Sequence, residues 1–161
     1  MQPEARMDFY ATSTGKAAVG ALVNVAGTIA KASGFDEGLA FLAMIRASQI
    51  NGCSVCVDMH VKDAALAGET PVRLAMIAAW KEANCFTDAE RAVLAVTEEA
   101  TRLADAYEGV SDETWAEARA HFSDEELAAI ISQIALINAF NRINAVVHNP
   151  GGDYVAGSLK H

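Results

Sequence analysis

Three residues carry the clearest chemistry in this sequence. Cys53 and Cys56 stand three apart, and His60 follows four later, within Cys53-Ser54-Val55-Cys56-Val57-Asp58-Met59-His60. In a helix, positions i, i+3 and i+7 share one face. Two thiols then lie within reach of each other, and a base lies within reach of at least one of them. Such a set suits redox chemistry at sulfur. A free thiol has a pKa of about 8.5, so only ~3% is thiolate at pH 7. Asn51-Gly52 breaks the chain just before Cys53, which places Cys53 in the first turn of a helix. Unpaired N–H groups and the positive dipole end stabilise an anion there. A pKa near roughly 6 would make the thiolate about nine-tenths populated. His60 can take the Cys56 proton or stabilise its thiolate. The two-residue spacer can also close a disulfide. One thiolate attacks, and the other resolves the product into Cys53–Cys56.

Other chemistries fit the spacing less well. A structural zinc site needs four ligands, so Cys85, His121 or His148 would have to complete the set. A c-type haem needs His directly after the second Cys, where this chain has Val57. An all-cysteine cubane cluster needs four cysteines, and the chain has three. A thioredoxin fold would place a βαβ pattern around the motif, and none is visible. The plain alternative is a pair of core cysteines beside an unrelated histidine, since Cys is often buried.

The elements that must position these residues read as helix after helix. There is no sustained period-2 alternation, and Pro occurs only at 3, 71 and 150. The expected helices are Lys16 to Ala32, apolar on most sides; Asp36 to Gln49; and Cys53 to Ala67, ended by Gly68 as a C′ glycine. Thr70-Pro71 supplies a cap and a first-turn proline for a helix to about Glu82. Thr87-Asp88-Ala89-Glu90 is a capping box for a helix to about Tyr107. Ser111 to Phe122 is a shorter helix. Ser123-Asp124-Glu125-Glu126 is a second box, opening the longest helix, to about Val147. That last helix is apolar enough to be central or to face another subunit. The Gly-rich tail from Pro150 is expected to be irregular or in subunit contact. The fold class is all-α: one helical-bundle domain over residues 1–161 with about seven helices.

Composition sets the outer limits. The 161 residues are 52% hydrophobic with net charge −9. That surface has no footprint for nucleic acid or an anionic membrane. Three cysteines are too few, and odd in number, for a secreted disulfide scaffold, which points to a cytoplasmic protein. Ala17 to Ala30 could pass for a signal-peptide core. It is too short to span a bilayer, and Glu4 and Asp8 spoil the leader, so it reads as a buried helix.

Other residues have quieter expectations. Cys85 and Trp80 read as packing residues, Trp80 in the core or at an interface. His121 sits near a helix end, and His148 reads as a C-terminal cap or subunit contact. Asn138, Asn141 and Arg142 interrupt the apolar last helix, and Arg142 is expected to pair with a carboxylate across a helix or subunit interface. Asp58 points away from the thiol face, toward solvent.

The run Arg46-Ala47-Ser48-Gln49-Ile50-Asn51-Gly52-Cys53-Ser54-Val55-Cys56-Val57-Asp58-Met59-His60 resembles the signature of the AhpD-like alkylhydroperoxidases, in the carboxymuconolactone decarboxylase superfamily. The likeness extends through Ala67-Gly68-Glu69-Thr70, Trp80-Lys81-Glu82, Phe86-Thr87, Glu90-Arg91-Ala92 and Ile137-Asn138-Ala139-Phe140-Asn141-Arg142. It covers about residues 36 to 147. The resemblance implies an all-helical fold assembling as a homo-oligomer (dimer, trimer or hexamer). It implies peroxiredoxin-type reduction of a small-molecule hydroperoxide, with electrons from a dithiol donor, a protein or a lipoyl carrier. Cys56 would be the peroxidatic thiol, Cys53 its partner and His60 the relay base, with no cofactor and no metal. In the family's full relay a Glu stands twelve residues before the first Cys; here that position is Phe41, and Glu37 is the carboxylate one turn earlier. The relay histidine that some members place between the cysteines is Val55 here. The departure favours, as an alternative, a redox-sensing or disulfide oxidoreductase module with little turnover. The decarboxylase branch generally lacks the Cys pair.

Overall fold

Good caps start nearly every helix. The computed structural model describes residues 4–158. Its seven α-helices are α1 (Ser13–Ile29), α2 (Glu37–Asn51), α3 (Ser54–Leu66), α4 (Pro71–Met76), α5 (Asp88–Thr101), α6 (Asp112–His121) and α7 (Asp124–Val147). Short 3-10 turns precede α1 (Phe9–Ala11) and follow α4 (Ile77–Ala79) and α5 (Leu103–Asp105), and no strand occurs among the described residues. Thr12, Asp36, Thr70 and Ser111 each accept a backbone N–H at a helix start, and Thr87 and Ser123 form both expected capping boxes.

Two helices form the centre. α2 buries Ala40 to Ala43, Ile45, Ala47 and Ser48, around most of its circumference. A helix apolar on nearly all sides must be packed on nearly all sides; α7, α5 and α3 surround it. α7 is long and apolar enough to cross a membrane, but half of its apolar window is buried inside the chain, so it serves as the second core helix. Its expected central place is observed. One apolar cluster joins Phe41, Ile45, Leu74, Ile77, Trp80 and Leu94; a second joins Ala43, Val93, Phe122, Leu127 and Ile134. A third holds Ala47, Cys53, Cys56 and Ile137.

Three expectations need correction. α1 is not a buried helix: within one chain only Gly15 and Ile29 are buried, while Val23 and Val25 are exposed. Apart from the 3-10 turn before it, α7 is the main element it packs against, so its other sides face outward. The helix opened by Thr70-Pro71 stops at Met76 and tightens into a 3-10 turn. The Arg91 guanidinium takes the carbonyls of Trp80, Lys81 and Ala83, so those groups need no further helical turn. α5 ends at Thr101 rather than near Tyr107. Glu99 draws the next segment back by accepting from Ser111 N at 2.7 Å and Thr114 Oγ1 at 2.6 Å.

Candidate active site

The cysteine motif sits on a hinge between two helices. Gly52 adopts the left-handed conformation, φ 65°, which glycine takes without steric cost. Its turn lets Cys53 N–H donate to Ser48 O at 3.0 Å. Cys53 is therefore the N-cap of α3, one residue before the first turn, and makes no side-chain capping bond. Asn51 anchors the hinge from the other side. Its Nδ2 donates to Oδ1 of Asn138 and of Asn141, each at 2.9 Å, and Asn141 Nδ2 donates to Ser48 Oγ at 3.0 Å. A satisfied buried network of this kind fixes α2 against α7 just ahead of the cysteines.

Cys53 and Cys56 are joined as a disulfide, with Cα atoms 5.3 Å apart. Both are almost fully buried, at 1% and 0% exposure. His60 is buried one turn beyond Cys56 on α3. Asn144 Nδ2 of α7 lies 3.5 Å from Cys56 Sγ. The Asn144 oxygen accepts from Tyr10 Oη at 2.7 Å and from Asn149 Nδ2 at 3.1 Å. Burial pushes the Tyr10 phenol upward, more than its bond to Asn144 lowers it, so it stays protonated and able to donate. Asn144 and Tyr10 were not expected from the sequence. Three asparagines at three-residue spacing in an apolar helix (138, 141, 144) were a signal for the first; nothing marked the second.

The tail lies across the outer face of α3. Ser54 Oγ donates to Asn149 O, and Gly151 N donates back to Ser54 Oγ at 3.1 Å. Asp58 is not left to solvent. Its carboxylate accepts Gly152 N at 2.8 Å and Tyr154 N at 3.0 Å and pairs with Lys62 at 2.6 Å. Burial works against its charge, but the bonds from Lys62, Tyr154 and Gly152 hold its carboxyl below the ordinary value.

The remaining candidates lie apart from the disulfide or do other work. Phe41 packs in the apolar cluster with Trp80 and Leu94, and Glu37 is exposed. Cys85 packs partly buried against that same cluster. Trp80 is a core residue whose Nε1 donates to Glu98 at 3.0 Å. Arg142 is exposed and, within one chain, donates to the Asn138 carbonyl and side chain, both at 3.1 Å, rather than to a carboxylate of a neighbouring helix. His121 meets Glu117 within α6, and His148 caps α7. Among the described residues no group of three His, Cys, Asp or Glu side chains gathers as a metal site, so the zinc reading gains no geometric support.

The pattern of the carboxymuconolactone decarboxylase family matches residues 17–99, more than half of the chain. This chain belongs to that family, and its fold is AhpD-like. It is 34% identical over 119 residues to the uncharacterized protein YdfG of Bacillus subtilis, covering 74% of this chain and 80% of YdfG. A protein of unknown function from Agrobacterium tumefaciens, provisionally named after the antioxidant defence protein AhpD, superposes with a TM-score of 0.85 at 31% identity. That match covers 94% of this chain and all of the other. The debrominase Bmp8 shares the fold at 18% identity and a TM-score of 0.74, over 87% of this chain and 74% of its own.

Proposed function

We propose that this protein is a thiol-dependent peroxidase that reduces small hydroperoxides through Cys53 and Cys56. The observation that carries the reading is the Cys53–Cys56 disulfide at the start of α3 with His60 one turn on. Family membership and the likeness to the Agrobacterium protein support it.

His60 takes the Cys56 proton, and the thiolate attacks the terminal oxygen of ROOH. An S–O bond forms, the O–O bond breaks, and the alkoxide leaves as ROH with the proton held by His60. Cys53 then attacks the Cys56 sulfur; the S–S bond forms, the S–O bond breaks, and water leaves with the Cys53 proton. A dithiol donor supplies two electrons and two protons to restore both thiols. The reducing cytoplasm provides such donors. The protein works as a homo-oligomer, and the exposed valines of α1 favour that helix as a subunit contact.

Steady-state turnover with a dithiol and an alkyl hydroperoxide tests the assignment, with Cys56→Ser expected to abolish it. A second reading is a redox-sensing or disulfide-exchange module that oxidises but turns over little. Phe41 at the relay position and the burial of both sulfurs favour it. Stoichiometric oxidation without sustained turnover would select this second reading.

A further inference from the structure

Cys56 is fully buried, with an apolar cluster on one side. α2 and α7 present Ala47, Met44, Ile137 and Phe140 around the disulfide. A thiolate there would be costly without donors, because burial disfavours the charged form. His60 follows one turn on in α3, Asp58 turns to the tail and Lys62, and Tyr10 bonds to the Asn144 that meets the sulfur. Asn149, from the segment after α7, is neutral.

The Asn144 amide has its orientation imposed. A side-chain carbonyl oxygen offers two lone pairs, and Tyr10 Oη and Asn149 Nδ2 occupy both. The NH2 group therefore turns to the sulfur, 3.5 Å away. Tyr10 is itself held, since the segment carrying it is tied to the end of α7 by Arg6 N donating to Val147 O at 2.7 Å. Asn144 is 5% exposed, so little water competes for the amide.

We infer that Asn144, oriented by Tyr10, is the donor that holds the Cys56 sulfur as a thiolate once the disulfide is reduced. The inference rests on the proposed role of Cys56 as the reactive thiol. In reduction one thiol of a donor dithiol gives its proton to solvent and attacks Cys53 Sγ as the thiolate. A donor–Cys53 bond forms, the Cys53–Cys56 bond breaks, and its electron pair passes to Cys56 Sγ, which leaves as a thiolate facing the amide. The second donor thiol then attacks its own sulfur in the mixed disulfide, closing the donor's disulfide and releasing Cys53, which takes up the proton. Asn144 thus favours Cys53 as the sulfur attacked and Cys56 as the one released. A hydrogen bond to a charged sulfur is stronger than one to a neutral thiol. Asn144 touches the reacting sulfur; Tyr10 is a positioning residue.

The test is iodoacetamide alkylation of the reduced full-length protein against pH, with Cys56 labelling located by mass spectrometry and Cys85 as internal reference. Asn144→Ala should move the Cys56 midpoint up by about one pH unit, slowing alkylation about tenfold below the midpoint. Tyr10→Phe should move it in the same direction by less, and Cys85 should not move. Unchanged Cys56 midpoints in both variants would overturn the inference; if Asn144→Ala does not fold, Tyr10→Phe decides alone. No peroxide is used. Shifted midpoints without peroxide turnover would therefore sink the peroxidase proposal and keep this one. Turnover with unshifted midpoints would do the reverse.

Discussion

Arg46 grips Glu98 through two nitrogens, Nε at 3.1 Å and Nη2 at 2.7 Å from the same carboxylate oxygen. Trp80 Nε1 and Lys81 Nζ bind the same side chain at 3.0 and 3.2 Å. Burial opposes the charge, but these donors outweigh it and hold the Glu98 carboxyl at about 2, against an ordinary 4.5. A carboxyl lowered in the folded state stabilises fully above its unfolded value and loses that contribution as pH falls through its folded value. The fold should thus lose roughly 2 kcal/mol between about pH 4.5 and pH 2 from this group. Urea unfolding across that range should show a shallower decline in Glu98→Gln. Equal slopes in the two proteins would remove Glu98 from the account.

Gly151 is constrained by contact. A Cβ there would lie 2.4 Å from the Ser54 carbonyl oxygen, and backbone cannot step aside cheaply. Gly151→Ala should lift the tail from the first turn of α3 at a cost of about 1–3 kcal/mol. Dithiothreitol should then reduce the disulfide faster. An unchanged reduction rate would mean that the tail does not guard the sulfurs.

Phe41→Glu should not rebuild a relay. Phe41 is packed with Ile45, Leu74, Ile77 and Trp80. The variant loses that packing and buries a carboxyl, costing at least about 3 kcal/mol. Urea denaturation and peroxide turnover together check this. A stable Phe41→Glu protein with faster turnover would contradict it.

α1 supplies the clearest expectation about assembly. Val23 and Val25 are 46% and 45% exposed on a helix whose sequence reads as buried. The pair Val23→Glu and Val25→Glu should lower the mass seen by light scattering while leaving the helical circular dichroism intact. A mass unchanged from the parent would place the contact elsewhere.

What the sequence made legible was local. The spacing of Cys53, Cys56 and His60, the Gly52 break and the Thr87 and Ser123 boxes all act within a turn or two of chain, and each appears in the fold. What it hid was distant. Tyr10 meets Asn144 across 134 residues, and Asp58 meets the tail across 94 and 96. Asp58 looked like a solvated charge because, beyond Lys62 on its own helix, its partners are backbone N–H groups, which leave no mark in a sequence. α1 misled for a related reason: its apolar composition says that it prefers cover, but not that the cover lies within the same chain.

In the proposed cycle Cys56 reacts with a hydroperoxide and Cys53 resolves it. The most direct measurement adds one equivalent of alkyl hydroperoxide to the fully reduced protein and follows the intact mass and the disulfide map. The expected outcome is loss of two hydrogens, a Cys53–Cys56 bond and one equivalent of alcohol, with Cys53→Ser stopping at an oxidised Cys56 and Cys56→Ser inert. Peroxide left unconsumed, or oxidation that proceeds equally in Cys56→Ser, would contradict it.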